Sequence, residues 1–115
     1  MIPYYQIFER GLINDGVWEY DMQSSNSYIR YGYEPYTNVF YLYNIATPIK
    51  EDQNKGYAKL LLEEFFFNIN MDGGVLDPGS FTISGMNYIK PLIERFSNKY
   101  NVRLINYSIR KDKNL

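Results

Sequence analysis

The run Val39 to Ala46 (VFYLYNIA) is apolar or aromatic at nearly every position. Eight residues with both faces apolar predict a central strand covered above and below. The stretch ahead of it alternates instead. Trp18, Tyr20 and Met22 fall on one side and Val17, Glu19 and Asp21 on the other, the mark of a half-buried strand. A second strand rich in β-formers runs from Ser27 to Tyr33, between turns at 23–26 and 34–38. Three strands joined by short turns predict an antiparallel meander.

After a break at Thr47 to Asp52 the period changes. Ala58, Leu61, Leu62, Phe65, Phe66 and Ile69 recur at helical spacing, so a helix is expected over roughly 55–69, ended by Asp72-Gly73-Gly74. Val75 to Asp77 has room only for a short strand, with Asp77 capping the turn at Pro78-Gly79. Thr82 is the expected N-cap of a second helix carrying Met86, Ile89, Leu92, Ile93 and Phe96. Pro91 removes a backbone donor inside it, so a kink or two short helices are expected there. Residues 101–107 suit a last strand, residues 3–12 a short helix, and 108–115 a frayed charged tail. The fold class is then α+β (mixed α/β): an antiparallel meander followed by β-α-β-α-β, with helices covering a central sheet in one domain.

Composition narrows the chemistry. The chain of 115 residues has no Cys and no His. Disulfides, thiolate nucleophiles, zinc held by sulfur or imidazole, and imidazole bases are excluded. Any catalysis uses carboxylates, hydroxyls, backbone amides, Lys or Arg, and no metal is expected. The formal net charge is −1, which offers no basic field for nucleic acid despite 13 Tyr able to stack bases. No apolar run is long enough to span a membrane and no signal peptide is evident, so a cytoplasmic protein is expected.

One junction joins these threads: a buried strand, a polar turn, then Gln53-x-x-Gly56-x-Ala58 opening an amphipathic helix. The first amides of a helix have no intrahelical acceptor, and that end carries partial positive charge. Gly56 permits close backbone approach, Ala58 keeps the next turn free of bulk, and Lys55 adds a charge, which together describe an anion site. Strand, loop, Q/R-x-x-G-x-G/A and helix resemble the acetyl-coenzyme A signature of the GNAT acyltransferase superfamily, over about residues 16–107. In that family the motif amides hold the cofactor pyrophosphate, and a following strand and helix complete the pantetheine slot.

The resemblance implies an acetyl-coenzyme A-dependent N-acetyltransferase. Its acceptor is an amine of a small molecule or of a protein, either a lysine or an N-terminus, which attacks the thioester directly. Cofactor contacts would come from Gln53, Asn54, Lys55, Gly56, Tyr57 and Ala58, with Asn87 beside them. Tyr88, on the helix after the short strand, would protonate the leaving thiolate, and Glu19 would serve as general base. A homodimer is compatible with such a domain. The competing expectation is a non-catalytic protein on the same scaffold, binding and inhibiting a partner through its Tyr-rich surface.

Overall fold

The computed structural model describes residues 4–80 and 83–107. Its strands are β1 (Gln6–Leu12), β2 (Trp18–Gln23), β3 (Tyr28–Glu34), β4 (Val39–Ala46) and β5 (Val75–Asp77). They form one sheet in chain order, antiparallel from β1 to β4 and parallel between β4 and β5. Two helices, α1 (Tyr57–Met71) and α2 (Ile83–Tyr100), complete the mixed α+β fold, and a short 3-10 turn at Lys50–Asp52 links β4 to α1. The meander is as expected. No helix among the described residues is long and apolar enough to cross a membrane.

The helical stripe of α1 does what its spacing demands. Leu61, Leu62, Phe65, Phe66 and Ile69 are buried against Met22, Ile29, Tyr31, Phe40, Leu42 and Leu76 of the sheet. Each such side chain contributes about 1.5–3 kcal/mol of transfer free energy. Phe65 joins helix to sheet through ring contacts with Tyr31 (centroids 5.0 Å apart) and Phe40 (6.3 Å). Phe66 meets Phe96 of α2 at 6.0 Å, and Tyr100 and Lys99 of α2 both bond the Glu63 carboxylate of α1. Helix α1 ends in a left-handed Gly73, whose successor Gly74 donates its N–H to the Ile69 carbonyl.

Four expectations are corrected. Residues 6–12 are a strand, not a helix. Tyr4, Ile7, Phe8 and Leu12 imitate helical spacing, but the free edge of β2 needs backbone partners, and β1 supplies them. The second helix is one continuous element through Pro91 rather than two short helices, and Pro91 is exposed, which keeps its ring out of the core. Residues 101–107 form only a single parallel bridge, Leu104 to Leu76, because Asn101 and Asn106 are left-handed and stop any extension. Finally, β4 is covered on one side only. Helix α1 packs on β3, β4 and β5, and α2 docks on α1, so both helices belong to one face. The Thr82 cap and the tail 108–115 lie outside the described residues.

The far face is polar and aromatic. By the pairing register it carries Glu19 and Asp21 of β2, Arg30 and Gly32 of β3, and Tyr41 of β4. Asp21 is buried there. Its Oδ1 accepts from Arg30 Nε at 2.9 Å and its Oδ2 from Arg10 Nη1 at 3.2 Å. Arg30 foremost, opposed by burial and helped by Arg10, holds the carboxyl below the usual aspartate range. A lowered value means stabilisation that is full above the ordinary Asp range and lost as pH falls through the value of the folded chain. Asp21→Asn is expected to lower unfolding free energy by about 2 kcal/mol at neutral pH and to flatten this acid limb. Urea melts at neutral and acid pH, compared with those of the parent chain, check both effects.

Candidate functional site

The site begins where the sheet stops pairing. Strand β5 meets β4 through Val39–Val75, Phe40–Leu76 and Tyr41–Asp77 only. Asp77 then caps its turn as expected, its Oδ1 accepting from the Gly79 N–H at 3.0 Å. The chain turns away, and β4 runs on to Ala46 beyond the end of β5. The resulting wedge is a cleft of about 660 Å³. Its walls are β4 from Leu42 onward, the turn into α1, Pro78 and Ser80, and Tyr88 with Ile89 of α2.

The turn is held from within. Gln53 Nε2 donates to the Thr47 carbonyl at 2.9 Å, and the Thr47 hydroxyl meets that of Ser27 at 2.7 Å. The amides of Asp52 and Gln53 donate to the Ile49 and Lys50 carbonyls. Asn54 (φ 63) and Gly56 (φ 83) are left-handed. Gly56 is the N-cap of α1, and the first amide to bond back is that of Leu60, to the Gly56 carbonyl at 3.0 Å. Among the described residues, no backbone N–H from Asn54 to Lys59 donates to a protein acceptor. A Cβ built on Gly56 would meet nothing within 4 Å, so the space beside this row is open. Free amides, left-handed backbone and open space are what an anionic group needs.

The sequence-predicted residues divide. Gln53, Asn54, Gly56, Tyr57, Ala58 and Tyr88 all line the cleft. Gln53 differs from the rest in that its amide and side chain brace the turn. Lys55 and Asn87 are exposed and stand outside the cleft wall. Lys59 and Asp52, not singled out by the motif, are on the wall with opposite charges. Glu19 is elsewhere, on the far face of the sheet, with its carboxylate 3.7 Å from Arg10 Nε and 4.0 Å from Arg30 Nε.

Tyr43 is the residue that motif reasoning missed. Pairing passes from Arg30–Asn44 to Tyr31–Leu42, leaving Tyr43 as the extra residue of a β-bulge on the cleft edge. Burial first, then the charges of Glu19 and Asp77 and the neighbouring Tyr41, raise its pKa, so the hydroxyl stays protonated and available to donate. No Gly or Pro marks the bulge in VFYLYNIA, so no local signal announces it. Tyr43 and Tyr88 therefore both line one cleft, while the Tyr43 hydroxyl reaches over Gly32 on the far face.

No family model, curated protein or solved structure matches the chain. Fold and cleft define a mixed α+β protein with a row of free amides opening onto a wedge between diverging parallel strands. The conformational role of Gly56 separates from any ligand role by substitution. Gly56→Ala is expected to cost about 1 kcal/mol in urea denaturation, because Ala resists positive φ. Gly56→Asn, a residue type that enters this region readily, should cost clearly less.

Proposed function

We propose that this chain is a small acyl-coenzyme A-dependent N-acyltransferase of GNAT type, transferring acetyl to an amine. The observation that carries the proposal is the row of unpaired amides from Asn54 to Lys59 on a cleft that also holds Tyr88. These residues fit a diphosphate: they offer several N–H donors, the end of a 15-residue helix and a glycine with nothing before it. When bound, the cofactor supplies an activated thioester carbonyl.

The chain's own residues then do limited work. The turn would hold the diphosphate, and the β4 edge from Leu42 to Ala46 would offer backbone groups along the cleft. Tyr88 would supply the proton taken up by the thiolate that the acceptor amine displaces from the thioester. The ammonium proton of the acceptor would be lost to water, because Glu19, the carboxylate the resemblance nominates, lies on the far face beside Arg10 and Arg30 and does not line this cleft. Positioning supplies most of the rate, since the reactants are brought together without a covalent intermediate.

A non-catalytic partner-binding role has one observation in its favour. Strand β1 and its flanks expose Tyr4 (80%), Leu12 (56%), Ile7, Phe8 and Ile13, an apolar edge that no element among the described residues covers.

Thermal melting separates the two. Coenzyme A at about 100 times its dissociation constant should add about 2.7 kcal/mol of stability. Gly56→Asn, which keeps the backbone but fills the open space, should fold normally and lose that shift. A shift retained in this variant, or none in the parent chain, contradicts the acyltransferase proposal. Tyr88→Phe should slow acetyl transfer to an amine panel by about a hundredfold, measured as free thiol release.

A further inference from the structure

Strand β1 is the rim of the sheet: among the described residues it pairs with β2 and with no other strand. Its outer row of backbone donors and acceptors faces away from the molecule. The register puts apolar side chains on both sides of that row. Ile7 is opposite Met22 and Leu12 opposite Trp18, on the side of the helices, whereas Phe8 is opposite Asp21 on the far face. Helix α1 packs on β3, β4 and β5, so Ile7 and Leu12 stay exposed on one side while Phe8 is exposed on the other. With Tyr4 and Ile13 these residues expose roughly 600 Å² on one copy, the upper end of what a monomer shows in one patch. Covering it on two copies reaches about 1,200 Å², where specific interfaces begin.

This arrangement selects the occupant. A helix or loop laid on one face covers Ile7 or Phe8 but not both, and it leaves the backbone row unpaired. A strand that continues the sheet covers all three, because its own side chains alternate between the faces. Strand β1 has the required alternation itself, and a two-fold axis presents it to its own copy.

The register is narrowed by charge. In antiparallel pairing about a two-fold axis, one residue stands opposite its own copy. Glu9 or Arg10 at that point sets like charges together, which destabilises a pair. Phe8 is the centre of Gln6 to Arg10, the stretch that runs up to the bulge. With Phe8 on the axis, ring meets ring and Ile7 lies beside the aliphatic stem of the other copy's Glu9. Arg10 then meets the side-chain oxygen of Gln6 rather than a second cation.

We propose that this chain forms a two-fold dimer through β1, antiparallel to its copy and centred on Phe8, joining two five-stranded sheets into one. The contact lies at the opposite rim from β5 and the cleft, so it does not depend on the acyltransferase function.

The test is sedimentation velocity of the full chain from about 1 μM to about 1 mM. A reversible monomer–dimer equilibrium is expected, with a dissociation constant on the order of 10 μM, as suits an interface of small area. Phe8→Lys and Phe8→Glu should each weaken it at least about tenfold by placing like charges on the axis, and an equimolar mixture of the two should restore it. The chain has no Cys, so Phe8→Cys supplies a single thiol. Mild oxidation should link that thiol to its own copy far faster than in Tyr36→Cys, at the exposed β3–β4 turn. The cysteine pair decides the matter even where a charge at position 8 unfolds the strand. A chain that stays monomeric overturns the proposal and leaves the rim to a strand of another protein. A dimer that both charge variants leave intact, equal linking of the two cysteine variants, or open-ended oligomers overturn it as well.

Discussion

The docking of α1 on the sheet through Phe65 is the contact on which the remaining geometry rests. Its ring lies against Tyr31 and Phe40 at once, on two neighbouring strands. This fixes both the height and the rotation of the helix. The N-terminal turn is thereby presented at the end of β4, where β5 no longer pairs. A different anchor would move the free amides relative to the strand edge and close or widen the cleft. Asn38 reinforces the same arrangement. Its side chain accepts from the Tyr33 hydroxyl and donates to the Asp72 carbonyl, joining the β3–β4 turn to the end of α1.

The two faces of the sheet follow from where the helices are. One face is dry and aromatic, with Tyr31 buried and its hydroxyl held protonated chiefly by desolvation. The other is built from charge pairs and phenols. Asp21 is buried there without a helix above it, because two arginines cover it. Arg30 stacks over Tyr28 at 5.8 Å while holding the carboxylate, so one side chain serves both packing and charge balance.

What the sequence conveyed depended on whether a residue's neighbours were local. The α1 stripe was readable because five core contacts share one helix face, and strands β2 to β4 because their turns are short. Strand β1 was not. Ile7, Phe8 and Leu12 have helical spacing, and only the distant edge of β2 decides otherwise. The final segment failed for a related reason: Asn101 and Asn106 look like ordinary polar residues until their positive φ values break the ladder. At the candidate site the motif at 53–58 and Tyr88 converged on one cleft across some thirty residues of chain. Glu19 did not, because β2 is two strands away from β4, and the register that places it there is invisible locally. The bulge at Tyr43 lies wholly beyond local pattern, since it arises from the mismatch between two strands.

The irregularity in β1 has a consequence for how this chain behaves at high concentration. Pairing jumps from Glu9–Tyr20 to Gly11–Glu19, with Arg10 left over and Gly11 at φ 121. The outer rim of the sheet therefore has no long straight ladder of donors and acceptors. An incoming strand loses register after a few residues and meets a guanidinium. Sticky side chains at this border are thus coupled to a backbone that resists templating, which favours discrete contacts over growth into fibrils.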